Sequence, residues 1–250
     1  MKKKFIFFVL VFVAFFAYGQ TEPTWVIVPT NDGKAVGIQE YRGDNKVIQI
    51  PNYIANLPVI GIGENAFAGK GLILVSIPSG IHTIRNNAFA DNELTFVLLP
   101  ETLIVIGAEA FRRNQLTSIT IPNSVEYIGM SAFSGNKLTS ITIPNSVEII
   151  QMSAFSGNQL KNVTIPNSVR SIGVGAFSGN QITEITLPSN ITIQSTAFAN
   201  NPIVKITIGE NVILEELLGL GVFDGNTFDD FYRTNGRKAG TYTLNNGVWK

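Results

Sequence analysis

The sequence predicts a repeat solenoid: a right-handed coil of about 22-residue units with a parallel sheet on one face and a cap at each end. Three observations predict it. An Ala-Phe pair ends at Phe67, Phe89, Phe111, Phe133, Phe155, Phe177 and Phe198, in steps of 22 with a last step of 21. A strand-like apolar residue followed by Pro keeps the same phase, at Ile77-Pro78, Leu99-Pro100, Ile121-Pro122, Ile143-Pro144, Ile165-Pro166 and Leu187-Pro188. Three consecutive units are near copies: "IPNSVEYIGMSAFSGNKLTSIT", "IPNSVEIIQMSAFSGNQLKNVT" and "IPNSVRSIGVGAFSGNQITEIT", over residues 121–186. One such unit cannot bury its own apolar face, but a stack of them makes a continuous core.

The elements follow in order. Residues 1–19 read as a secretory signal peptide: Lys2, Lys3 and Lys4, an apolar run over 5–17, then Ala17 and Gly19 ahead of Gln20. The run is short for a bilayer span, which takes roughly 20 apolar residues; an uncleaved anchor is the competing reading. No Cys follows it, so lipid attachment there is excluded. No later apolar stretch approaches that length, so export without a membrane span after cleavage is expected. Residues 20–49 are expected to form a capping hairpin, with Asn31-Asp32-Gly33 as the turn between 25–28 and 35–39.

Residues 50–208 carry the repeat, and each of its letters has a physical task. Leu138, Ile141 and Ile143 are spaced as L-x-x-L-x-L, the strand of a leucine-rich repeat. Ser140 and Thr142 alternate with them and so point to the other face. Pro144 ends the strand, because it has no N–H for a ladder. Asn136 sits at a turn, where its amide can both donate to and accept from buried backbone. Its equivalents Asn92, Asn114, Asn158, Asn180 and Asn201 should stack into an internal ladder, and the Phe residues into an aromatic spine. Val125 and Ile128 close the return segment over the core.

Residues 209–250 are expected to form the second cap. The period breaks over 214–220 and 223–232, where Phe223, Phe228, Phe231 and Tyr232 suggest an aromatic helix or turn over the last coil. "TYTLNNGVWK" reads as a final hairpin turning at Asn246-Gly247. The rival reading makes residues 222–250 an attachment or export module.

The pattern I-P-x-x-V-x-x-I-G-x-x-A-F-x-G-x-x-L-x-x-I-x resembles the BspA-like, or treponemal, class of bacterial leucine-rich repeat, over residues 50 to about 208. The longer first unit, "IPNYIANLPVIGIGENAF", resembles that family's opening repeat, and residues 25–51 its lead-in hairpin. The resemblance implies an exported surface or secreted protein; several such proteins are implicated in binding host matrix proteins or other bacteria. It implies no catalytic residues.

Composition narrows function further. Zero net charge with 14% charged residues gives no basic footprint for nucleic acid. The absence of Cys removes disulfides and thiolate metal sites. Gly61-Ile62-Gly63-Glu64-Asn65-Ala66 fits a dinucleotide fingerprint, but its second Gly and its Ala recur as Gly107 and Ala110, so they are letters of the repeat. Gly69-Lys70-Gly71 lacks the spacing and the Ser or Thr of a phosphate loop. His82 is the only His, too little for an imidazole dyad or a zinc site, and is expected at the surface. Glu215, Glu216, Asp224, Asp229 and Asp230 are expected to form a solvated acidic region. No cofactor and no metal are expected.

What remains is the open sheet face. One outward column runs Ser76, Leu98, Thr120, Thr142, Thr164, Thr186, Thr207; the column before it runs Leu74, Phe96, Ser118, Ser140, Asn162, Glu184, Lys205. The later coils present polar residues, whereas Ile73, Leu74, Phe96 and Leu98 would offer apolar surface to water. Contiguous exposed apolar residues mark interaction sites unless a cap or loop folds over them. The expected function is a non-catalytic, adhesin-like recognition module that binds a protein or glycan through Leu74, Phe96 and Leu98, flanked by Thr95, Thr117, Ser118 and Thr120. The alternative is a structural envelope protein that self-associates. Oligomeric state and final destination (periplasm, surface or medium) stay open at this level.

Overall fold

The computed structural model describes residues 24–215, 221–223 and 228–250. The signal peptide read over 1–19, and Glu216 and Asp224 of the acidic region, lie outside the described residues.

Each coil makes two short extended segments, because the repeat has two apolar stretches separated by turn residues. On the strand side, Val47–Gln49, Leu74–Ser76 and Val97–Leu98 form one parallel ladder. Ser140–Thr142, Asn162–Thr164, Glu184–Leu187 and Lys205–Ile208 form a second. The residues alternate between exposed and buried, as a pleated strand with one wet face requires. The return segments, expected only to close over the core, build a further sheet of their own. Leu57–Ile62, Thr83–Ile84, Val105–Ile106 and Tyr127–Ile128 pair in parallel, and so do Ile149–Ile150, Ser171–Ile172, Thr192–Ile193 and Ile213–Leu214.

Both ladders are interrupted near the middle. On the strand side, residues 117–120 carry no strand, so the ladder ends at Val97–Leu98 and restarts at Ser140–Thr142. On the return side the gap falls between Tyr127–Ile128 and Ile149–Ile150. The corners hold the coils together there: the Phe111 amide donates to the Ala132 carbonyl at 2.8 Å, and Phe133 to Ala154 at 2.9 Å.

Two internal columns carry the stacking. Phe67, Phe89, Phe111, Phe133, Phe155, Phe177 and Phe198 lie nearly parallel, with centroids 4.9 to 5.6 Å apart. All are buried. Beside them the Asn column satisfies the corner backbone. Asn136 Nδ2 donates to the carbonyls of Phe111 (2.9 Å) and Phe133 (3.1 Å), and its Oδ1 accepts from the Leu116 amide at 3.1 Å. Asn92, Asn114, Asn158, Asn180 and Asn201 repeat the arrangement. An amide is suited to this place because one side chain supplies donor and acceptor together.

The corners also need left-handed backbone. Gly135, Gly157 and Gly179 have positive φ, and so do their equivalents Asp91, Arg113 and Asn200. Glycine adopts this conformation without cost, whereas a bulky side chain does not.

Both ends of the spine are covered. Trp25–Pro29 pairs antiparallel with Val36–Tyr41, and this hairpin lays Tyr41 over Phe67 at 5.6 Å and Trp25 against both. At the far end the expectation needs a correction. Phe223 is a member of the spine, stacked on Phe198 at 5.5 Å and 14°, and the Phe198 amide donates to the Val222 carbonyl. Val222-Phe223 therefore fills the Ala-Phe site of a further coil, disguised in the sequence by a longer spacing. The cover begins at Phe228, which meets Phe223 edge-on, in the helix Phe228–Thr234. The last hairpin, Gly240–Asn245 with Val248–Trp249, adds antiparallel to Lys205–Ile208 and occupies that sheet edge.

Candidate recognition surface

The strand face is built by alternation. Val75 and Val97 point into the core, so their neighbours Leu74, Ser76, Phe96 and Leu98 must point out. Register then decides which outward residues meet. Val47 lies opposite Leu74, and Ser76 opposite Leu98. The result is an apolar area formed by Val47, Ile73, Leu74, Phe96 and Leu98. Phe96 keeps 51% of its surface exposed and Leu98 68%, so neither the N-terminal hairpin nor a loop folds over them.

Sequence reasoning missed Val47, which is 60% exposed. It read Val47 as part of the lead-in; the chain there adds a parallel strand to the sheet. The signal was the alternation Val47-Ile48-Gln49-Ile50 ahead of Pro51, the same apolar-Pro ending as later coils. Thr95, Thr117, Ser118 and Thr120 are all exposed beside the apolar area. Thr117, Ser118 and Thr120 stand one coil further on, where the ladder is interrupted, and so form its rim.

The rest of the strand face differs in character. Thr142, Thr164, Thr186 and Thr207 stand in register, and Thr207 shares a hydroxyl hydrogen bond of 3.0 Å with Thr241. Lys205 Nζ reaches Glu184 at 2.9 Å across neighbouring strands. The face thus has an apolar beginning and a hydroxyl-rich, charge-paired end.

A model of the BspA type leucine rich repeat region, in six copies, matches residues 46–158 and 104–216. The chain belongs to the BspA-type leucine-rich repeat family. A solved structure agrees on the fold. A leucine-rich repeat protein from T. pallidum is 25% identical with a TM-score of 0.51, over 62% of this chain and 86% of that one. A leucine-rich repeat protein from Bacteroides ovatus is also similar, 22% identical with a TM-score of 0.49 over 77% of this chain and 72% of that one. No curated protein matches the sequence. Leucine-rich repeats of this BspA type are scaffolds for protein interaction.

A groove of about 480 Å³ lies elsewhere, between the N-terminal hairpin and the first return strands. Gln39, His82, Thr83 and Arg85 line it, which places His82 at the surface as expected. The lining offers an imidazole and a guanidinium with no carboxylate beside them. The acidic C-terminal residues separate: Asp230 is exposed, but Asp229 is buried, contrary to the solvated region expected of it. Its carboxylate accepts from the Val222 amide (3.2 Å) and the Phe223 amide (2.9 Å), which ties the helix to the last coil. No helix among the described residues is long and apolar enough to cross a membrane.

Proposed function

We propose that this BspA-type repeat is an exported, adhesin-like recognition module that binds a protein or glycan of a host or another bacterium through the N-terminal half of its strand face. The observation that carries the reading is the exposed apolar area of Val47, Leu74 and Leu98 on the paired strands, with Phe96 immediately before the last of them. A backbone already held by the stacked coils needs little further ordering when a partner covers it, so more of the burial becomes affinity. Phe96 is the anchor, since aromatic residues dominate binding energy at interfaces. Thr95, Thr117, Ser118 and Thr120 supply hydroxyls at the rim, suited to peptide or sugar groups. The reading has no catalytic step.

The test is capture by the purified protein from arrays of matrix proteins and glycans, with Phe96→Ala and Leu98→Ser as controls. Binding that both substitutions weaken at least tenfold supports the reading. Binding indifferent to both overturns the assignment of the face. Reversible self-association in sedimentation, abolished by the same substitutions, would point to the structural alternative instead.

A further inference from the structure

The chain has three Met residues, and the two beyond Met1 stand side by side on the return face. Met130 and Met152 hold the same position in successive coils, linked through the Ser131 amide, which donates to the Met152 carbonyl at 2.9 Å. Both are exposed. So are Tyr127 and Ile149, the outward residues of the return strands in those two coils, and Ile104, which holds in the coil before them the position that Glu126 and Glu148 hold later. Stacking does not require them, because Ile106, Ile128 and Ile150 fill the core at these coils. Some equivalent positions elsewhere are polar, Thr83, Ser171 and Thr192 in the Tyr127 column and Asn86 in the Met130 column, whereas Val105, Ile213, Ala108 and Val174 are apolar.

Charge is placed beside this patch. Glu126 and Glu148 immediately precede Tyr127 and Ile149, are exposed, and form no salt bridge among the described residues. Arg170 holds the same position one coil later and bounds the acidic stretch. Geometry adds a third constraint. Successive coils lie about 4.8 Å apart where their return strands pair, and their internal Phe rings 5.5 Å and 5.6 Å apart. An α-helix advances about 5.4 Å per turn. A helix lying along the solenoid axis therefore offers one apolar side chain to each coil in turn.

We propose that the return face docks a basic amphipathic helix of a partner protein, its apolar stripe on Ile104, Tyr127, Met130, Ile149 and Met152 and its Lys or Arg side chains against Glu126 and Glu148. Unbranched Met side chains adapt to the helix surface, which is why Met-bearing faces accept such segments. The carboxylates fix the sign of the partner's charge and make binding weaken with salt. This surface flanks a different sheet from the one beside Phe96 and does not depend on the strand-face reading.

The two Met methyl groups give a direct readout. With ε-methyl-labelled Met, a synthetic Leu/Lys amphipathic helix should shift the Met130 and Met152 signals together and saturably, and a Leu/Glu helix of the same pattern should not. Met130→Ser with Ile149→Ser should weaken binding at least tenfold, and Glu126→Gln with Glu148→Gln should remove most of its salt dependence. Phe96→Ala should leave it unchanged. Signals that stay still, respond equally to the acidic helix, or lose their response in Phe96→Ala would overturn the proposal. So would signals that broaden with protein concentration alone, since that places a second copy of the chain on this face.

Discussion

Asn136 Nδ2 donates to the carbonyl oxygen of Phe111, one coil earlier, at 2.9 Å. The bond joins the two columns that make the solenoid a single body, since the same Asn also takes the Leu116 amide. Asn136→Ala strands the Leu116 N–H in the core, whereas the Phe111 and Phe133 carbonyls each keep one donor, Asn114 Nδ2 at 3.1 Å and Asn158 Nδ2 at 2.9 Å. One unsatisfied buried group costs about 1 to 3 kcal/mol, and a loss in that range is expected. Urea unfolding followed by circular dichroism measures it. Asn136→Asp should do no better, because a carboxylate cannot donate.

Phe96 and Phe133 separate binding from folding. Phe133 is fully buried in the spine, so Phe133→Ala should cost about 3 to 5 kcal/mol. Phe96 stands half in water, and Phe96→Ala should leave the melting temperature and the far-ultraviolet spectrum nearly unchanged. A large drop in melting temperature for Phe96→Ala would show that it serves the core.

Arg113 occupies a left-handed corner, φ 51°, where three later coils have Gly. An L-residue there costs about 1 to 2 kcal/mol, and Gly gives back about 0.5 to 1 through the entropy of the unfolded chain. Its exposed pair with Asp91, at 3.7 Å, contributes little. Arg113→Gly should therefore stabilise the protein by about 0.5 to 1 kcal/mol. An unchanged or lower urea midpoint would refute this.

Tyr41 and Tyr232 are the buried tyrosines of the two caps, and burial raises both phenols above their ordinary value; the Tyr242 phenol adds to the rise at Tyr232. The native state thus holds these protons after the unfolded chain has released them. Their contribution is complete below the unfolded value of about 10 and is lost as pH rises through the folded value. Melting temperature should fall above about pH 10, and less steeply in Tyr41→Phe/Tyr232→Phe.

Much of this was legible before any coordinates. Ile121, Val125, Ile128, Phe133, Asn136, Leu138 and Ile141 are read correctly from spacing alone, because each coil packs on a copy of itself. Val222-Phe223 was missed for the converse reason: a spacing of 25 from Phe198 hides a residue that packs like the others. Asp229 was missed because its partners are backbone amides, which carry no sequence signal.

The sequence by itself determined the repeat, the inward columns and the polarity of the outward ones, since a period of 22 with alternating strands leaves each residue one side to face. Only the tertiary structure decided which outward residues share a surface. Register sets Val47 beside Leu74 and Ser76 beside Leu98, the N-terminal hairpin covers the end of the spine and leaves Phe96 in water, and the return segments form a sheet that carries Met130 and Met152 outward. Those outcomes depend on how coils stack and where the caps come to rest, and both are set by contacts between residues distant in the chain.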